Sequence, residues 1–270
     1  METSAFASFY QFSEVTRLEH FKDSLLEQCE LAGILGTIIL SREGVNGSVV
    51  GSDTAISSLL DFMAKILKFN DLLINRSLTA AKPFDRLVVR IKNEIVTSGF
   101  KHKTRSSDYV EPEEWDTFIK QEDVITVDVR NFYEHSIGSF TDAVRPEIRN
   151  FRQFPKFVSQ VLEKNKNKKL AIFCTGGIRC EKASHFLKSS GFEKVYQLKG
   201  GIFNYFVKKR EKKNSLWFGD CFVFDKRLAV DKNFETINYQ QCPNCKEMIS
   251  KRDEPIDDIE WAVCAACTQN

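Results

Sequence analysis

Apolar positions change their spacing along the first hundred residues, and each change marks an element. Ala5–Phe12 reads as a strand. Val15, Leu18, Phe21, Leu25 and Cys29 then recur every three or four positions, which places them on one face of a helix. Gly36–Leu40 is a second β-rich run, and Arg42-Glu43-Gly44-Val45-Asn46-Gly47 supplies turn residues before Ser48-Val49-Val50. Ile56, Leu59, Leu60, Met63, Ile66 and Leu67 make a second amphipathic helix, and Leu72–Ile74 and Leu87–Ile91 read as further strands. The order β-α-β-β-α-β predicts a ferredoxin-like α+β domain over residues 1–100. Gly44, Gly47 and Gly51 fall inside the predicted hairpin. No Gly-Lys-Ser/Thr follows them, so they are expected to serve a turn rather than a phosphate loop.

The pattern differs downstream. Lys101–Pro112 is polar without apolar periodicity and is expected to be a linker over residues 101–112. Val124–Val129 is an apolar run interrupted only by Thr126 and Asp128, as in a buried parallel strand. Phe157–Lys169 contains a helix ending in a lysine-rich turn, Leu170–Phe173 is a strand, and a helix follows that stops at Gly191. Val195–Leu198 is another strand, and Gly200-Gly201 opens a helix running to about Lys213. This alternation predicts an α/β domain over residues 113–213, a parallel sheet covered by helices on both faces. Residues 214–270 are expected to form a separate C-terminal extension, small and zinc-ribbon-like.

One strand end carries the candidate chemistry. Leu170–Phe173 delivers Cys174 into the tight loop Thr175-Gly176-Gly177-Ile178-Arg179, and a helix starts at once. Two glycines let consecutive backbone N–H groups turn inward. The helix N-terminus adds unpaired donors and the positive end of its dipole, and Arg179 adds a fixed charge. All three favour a thiolate at Cys174. The strand end is also where parallel sheets place ligands. A cysteine-type phosphatase needs five residues between Cys and Arg to ring a phosphate. Here there are four, a smaller ring suited to a sulfur atom or another compact group, and this pattern resembles the rhodanese active-site loop.

The chain has 270 residues, enough for more than one core, and its 39 basic and 37 acidic residues nearly cancel, so bulk charge names no partner. METSAFASFYQFSEV has neither a basic nor an apolar signal region, and the longest apolar stretch, near Leu31–Leu40, is too short and too Gly-rich to cross a membrane. A cytoplasmic protein is expected, where eight cysteines serve catalysis or metal binding rather than disulfides. Cys242-Pro243-Asn244-Cys245 and Cys264-Ala265-Ala266-Cys267, eighteen residues apart, have the spacing of a tetrathiolate zinc site with no open coordination position, hence a structural one. Cys29 and Cys221 are expected to be core residues. No dinucleotide fingerprint, flavin motif or non-haem iron triad is visible.

Several segments converge on one family. DVRNFYEH (Asp128–His135) followed by IGSF (Ile137–Phe140) resembles the first motif block of rhodanese domains. CTGGIRCEKAS (Cys174–Ser184), GFEKVYQLKGGIFNY (Gly191–Tyr205), GVNGSVVG (Gly44–Gly51), RLVVRIKNEIVTSG (Arg86–Gly99), FRQFP (Phe151–Pro155) and WFGDCFVFDKR (Trp217–Arg227) resemble a narrower group, the rhodanese-domain tRNA uridine hydroxylases of the TrhO type. The segment Val144-Arg145-Pro146-Glu147 departs from that family's pattern. The resemblance implies oxygen-dependent hydroxylation of the wobble uridine of tRNA to 5-hydroxyuridine, with molecular oxygen as co-substrate and the essential cysteine at Cys174. It also implies recognition of the anticodon region of tRNA.

Other residues keep two readings. Cys180 is either a resolving thiol for Cys174 or a buried helix residue. Asp128 and Arg130 either orient the loop or form an internal ion pair, and His135 is either an acid–base group or structural. Basic runs at Lys101–Arg105, Lys164–Lys169 and Lys208–Lys213 are either solvated faces or phosphate contacts. Phe203, Tyr205 and Trp217 are candidates to stack a splayed base. Sulfur transfer through a persulfide on Cys174, and a non-enzymatic RNA-binding scaffold, are the competing functions.

Overall fold

Seven elements build the first unit: β1 (Ser4–Phe12), α1 (Leu18–Leu31), β2 (Leu35–Ser41), β3 (Gly44–Gly51), α2 (Asp53–Leu67), β4 (Leu73–Thr79) and β5 (Leu87–Ile91). The structure is a computed structural model that describes residues 3–67, 72–100, 108–210, 214–251 and 263–268. By contact the chain divides into two units, Met1–Gly99 and Phe100–Asn270.

In the first unit, Ala5, Ala7 and Phe9 of β1 meet Phe21, Leu25 and Cys29 of α1 and Ile56, Leu59, Leu60 and Met63 of α2 in one buried cluster. The sheet order is β4-β1-β3-β2-β5. Strand β1 runs antiparallel to β3 and β4, and β2 antiparallel to β3. That is the expected ferredoxin-like arrangement. Strand β5 adds a fifth position, parallel to β2 at the sheet edge. The β2–β3 turn is only Arg42-Glu43, so Gly44–Gly47 lies in β3 rather than in the turn. Gly47 is there for a packing reason: a Cβ on it would stand 2.7 Å from the Phe9 ring. Cys29, as expected, is a core residue.

The second unit opens with β6 (Asp108–Val110), inside the segment expected to be a linker; residues 101–107 lie outside the described residues. Then come α3 (Pro112–Ile119), β7 (Val124–Asp128), α4 (Phe132–His135), β8 (Gly138–Phe140), α5 (Phe154–Phe157), β9 (Lys169–Phe173), α6 (Ile178–Ser189), β10 (Val195–Leu198) and α7 (Gly201–Lys209). Strands β6-β10-β9-β7 form a parallel sheet. Helices cover both of its faces. Trp115 of α3 and Tyr205 of α7 meet Phe140, and Phe140 meets Phe173, with centroids 4.8–5.9 Å apart. Phe154 of α5 meets Phe186 of α6 at 6.3 Å. The helix expected within Phe157–Lys169 starts earlier, at Phe154, and runs on as a wider turn over Val158–Leu162 and a tighter one over Glu163–Asn165. Helix α7 ends at Lys209, short of the expected Lys213.

Strand β11 (Trp217–Gly219) pairs antiparallel with β8. Hairpins β12 (Cys221–Phe222)–β13 (Ala229–Val230) and β14 (Tyr239–Gln241)–β15 (Met248–Ser250) follow, then α8 (Ala265–Thr268). Cys221 is a core residue, as expected. Among the described residues no helix is long and apolar enough to cross a membrane.

Candidate active site

Cys174 leaves β9 from the centre of the sheet, between β10 and β7. Strand β9 is buried along Leu170–Phe173, which gives the loop a rigid base. The loop is shorter than expected: Ile178 and Arg179 already belong to α6, leaving Thr175, Gly176 and Gly177 between strand and helix. Gly177 precedes α6 with φ 100°, a conformation that glycine adopts without strain. Its N–H points inward and donates to Cys174 Sγ at 3.2 Å.

A second element holds the loop from behind. The first N–H groups of α7 donate to it, Ile202 to Cys174 O at 3.0 Å and Phe203 to Thr175 O at 3.1 Å. Gly201 makes that approach possible. Its φ is 67°, and a Cβ would fall 2.5 Å from Cys174 O and 2.7 Å from Thr175 O. The sequence signal was the pair Gly200-Gly201, read only as a helix start.

The sulfur is fully buried. Burial alone raises a thiol pKa, but here it is outweighed by the Cys180 thiol donating to Cys174, the Arg179 charge, and the backbone N–H groups of Cys180 and Arg179. The result is a Cys174 pKa lowered to about 6. Burial and the neighbouring Cys174 sulfur push Cys180 the other way, well above its ordinary value. The two cysteines therefore divide into one ionised sulfur and one proton donor.

Arg179 reaches Cys174 by charge and main chain, while its terminal nitrogens serve another residue. Nη1 and Nη2 donate to Glu134 Oε2 and Oε1 at 2.5 and 2.7 Å, and Nη2 lies 3.4 Å from Thr175 Oγ1. The Glu134 carboxylate is fully buried. It also accepts from the Asn131 N–H at 3.1 Å, as the third residue of a capping box does. Sequence reasoning missed Glu134, although the Asn131-x-x-Glu134 spacing was a readable signal.

Asp128 and Arg130 form the internal ion pair. Arg130 Nη2 and Nε donate to Asp128 at 2.6 and 2.9 Å, and Nη2 donates to Gly138 O at 2.7 Å. Ser139 Oγ donates to Asp128 Oδ2 at 2.8 Å. The Arg130 guanidinium packs on the Trp217 ring at 5.2 Å. This pair ties β7, β8 and β11 together beside the Cys174 strand. His135 is buried, with Nε2 2.9 Å from Pro146 O, a structural partner.

The three aromatics expected to stack a base are occupied elsewhere. Phe203 packs on Phe234, Tyr205 bonds Asp116 and packs on Phe140, and Trp217 lies against Arg130 and Phe206. The basic runs are partly neutralised: Lys169 pairs with Asp123, Lys208 with Glu113 and Lys209 with Asp116. Lys101–Arg105 and residues 211–213 lie outside the described residues.

At the C-terminus, the sulfurs of Cys242, Cys245, Cys264 and Cys267 all lie within 4.8 Å of one another. Around one tetrahedral zinc with Zn–S bonds of about 2.3 Å, sulfurs stand roughly 3.8 Å apart. The cluster therefore fits one ion held by four thiolates.

Comparisons with known proteins divide the chain at the same place as its contacts. Residues 4–95 match the family described as "UPF0176 acylphosphatase like domain", and residues 111–208 match "Rhodanese-like domain". Three relatives are similar over nearly the whole of this chain, and each is called "tRNA uridine(34) hydroxylase". The protein from Neorickettsia sennetsu is 40% identical, covering 100% of this chain and 98% of its own. That from Teredinibacter turnerae is 40% identical over 97% of this chain and 82% of its own. The third, from Wolbachia sp. subsp. Brugia malayi, is 38% identical over 97% of both chains.

Proposed function

The chain belongs to the family of tRNA uridine(34) hydroxylases, and on that premise we propose how its loop cysteine serves the reaction. The activity is hydroxylation of the wobble uridine of tRNA on a rhodanese scaffold. The alternative, sulfur transfer through a Cys174 persulfide, is not favoured, because relatives matched end to end carry the hydroxylase name. A non-enzymatic scaffold is disfavoured on the same ground.

In the proposed reaction the target is the anticodon region of tRNA, in the cytoplasm, and the product is 5-hydroxyuridine. Cys174 thiolate adds to C6 of uracil, and the C5–C6 electron pair moves toward the C4 carbonyl, leaving an enolate that is nucleophilic at C5. Molecular oxygen takes that electron pair and bonds to C5. Cleavage of the O–O bond leaves one oxygen on C5 and releases the other as water, with two electrons and two protons from an external thiol-class reductant. Loss of the C5 proton and return of the C6–S pair to sulfur restore the double bond and the thiolate. The observation carrying this reading is a sulfur fed by the Gly177 N–H and the Arg179 charge, with its pKa lowered to about 6. The test is nucleoside mass spectrometry of tRNA from cells lacking the protein. 5-Hydroxyuridine and nucleosides built on it should vanish and return with the wild-type gene. An unchanged nucleoside profile would refute the reading.

The four C-terminal sulfurs are proposed to hold one structural zinc. A closed four-thiolate shell leaves no position for substrate, so the ion would tie the β14–β15 hairpin to the segment around α8. Elemental analysis of the purified chain is expected to find about one zinc per molecule, and markedly less in Cys245→Ser. Full zinc content in that variant would remove the assignment.

A further inference from the structure

We infer that Phe224 is the stacking platform for the uracil that enters the Cys174 loop, an inference that rests on the hydroxylase reading above. Phe224 is 65% exposed, unlike Phe203 and Tyr205, which are buried. It sits beside the reactive loop. The Arg179 guanidinium lies over its ring, 5.7 Å from the centroid. The Arg179 charge and main-chain N–H both act on the Cys174 sulfur. Phe224 therefore touches the side chain whose charge acts on the Cys174 sulfur.

Its exposure is not looseness. Phe224 is the second residue of the turn between β12 and β13, after Val223. That turn is clamped by Arg227 Nε and Nη2 donating to Asp225 at 2.8 and 2.6 Å, with both side chains only 3% exposed. The Val223 N–H donates to Leu228 O at 2.9 Å and closes it. The Phe224 ring packs edge-on against Phe222 at 5.1 Å, and Phe222 packs against Tyr133 at 5.2 Å, next to Glu134. A large apolar ring is thus held rigidly in water at the edge of the site. Such a surface suits a flat, apolar-faced partner that also tolerates a guanidinium nearby, which describes a nucleobase. The loop itself is uncrowded at Gly176, where a Cβ would meet nothing within 4 Å. A base leaving its stack in the anticodon loop loses stacking, and the Phe224 face restores part of it.

The experiment is a cycle of two proteins and two RNAs. Binding is measured for wild type and Phe224→Ala with an anticodon stem-loop carrying uridine at the wobble position and with the same RNA abasic there. Wild type should bind the uridine RNA about tenfold more tightly than the abasic one. Phe224→Ala should bind both equally, at the weaker level. Phe224→Trp should keep the preference, and Phe224→Leu should lose it, which separates an aromatic face from apolar bulk. The pH dependence of Cys174 alkylation should be the same in all four proteins, showing an undisturbed loop. A preference for uridine that survives in Phe224→Ala, or equal binding of both RNAs by wild type, overturns the inference. Because the cycle reads binding, loss of the hydroxylase reading through an unchanged nucleoside profile is distinguishable from loss of the platform.

Discussion

Cys174→Ser is expected to lose hydroxylation by at least about a thousandfold in kcat/KM, while the protein stays folded. Serine keeps the size and the backbone of the loop, so the Gly177 N–H and the contacts from Ile202 and Phe203 have the same partners. What disappears is the ability to ionise near neutrality. A thiol brought to a pKa of about 6 is mostly thiolate at pH 7. A hydroxyl in the same place is not ionised at any physiological pH, and the soft nucleophile is gone. In wild type, alkylation of Cys174 should rise with pH through a midpoint near 6, against about 8.5 for an unperturbed cysteine. The sign follows from deprotonation: below the midpoint the sulfur is a neutral thiol and slow, above it a thiolate and fast. Because Cys174 is fully buried, its alkylation is expected to be slow in absolute rate, and the midpoint is read from the pH profile rather than from the rate itself. Substrate tRNA carrying 5-fluorouridine should trap a covalent adduct on wild type and none on Cys174→Ser. Residual turnover in Cys174→Ser above about a hundredth of wild type would rule out a nucleophilic sulfur.

The part of this site that could be read in the sequence is the part made by neighbours in the chain. Cys174, Gly177 and Arg179 lie within six positions, so strand, turn and helix rules place them together. Cys180 could be located but not assigned, because its proton is directed at Cys174 only once α6 has turned. Glu134 and Gly201 act across distances of 45 and 27 positions, and no local rule brings them to the loop. The aromatics failed for another reason. Phe203 and Tyr205 lie on different faces of α7, and both faces are covered, Phe203 by Phe234 and Tyr205 by Phe140, which are long-range contacts that no local rule supplies. Phe224 belongs to a short hairpin, where a single exposed position has no periodic signature. In the first unit, the hydrophobic spacing gave the four-strand order, while β5 joined by pairing with β2, a long-range contact that alternation does not encode.

Glu134→Gln should destabilise the second unit by about 3 kcal/mol, in the range for breaking a buried ion pair from one side. Glu134 is fully buried and Arg179 only 7% exposed, so solvent does little to replace the lost charge. Glutamine preserves shape and can still accept from the Asn131 N–H, but it leaves the guanidinium with a neutral partner in a dry site. At roughly 3 °C per kcal/mol for a unit of this size, the melting temperature should fall by about 10 °C. The sulfur should respond in the opposite sense. With the carboxylate gone, the Arg179 charge is less neutralised, so the alkylation midpoint of Cys174 should stay near 6 or move lower rather than rise. Loss of activity would then come from a misplaced loop and not from a protonated thiol. A double variant, Glu134→Gln with Arg179→Met, separates the two contributions. Removing both charges should recover part of the lost stability, because no unpaired ion remains, while the Cys174 midpoint climbs toward that of an ordinary buried thiol. Thermal melts and alkylation profiles on the three variants read both effects. A melting temperature unchanged in Glu134→Gln would show that the buried carboxylate–guanidinium pair adds little to stability, and a midpoint in the double variant still near 6 would show that the Arg179 charge does not hold the Cys174 sulfur as a thiolate.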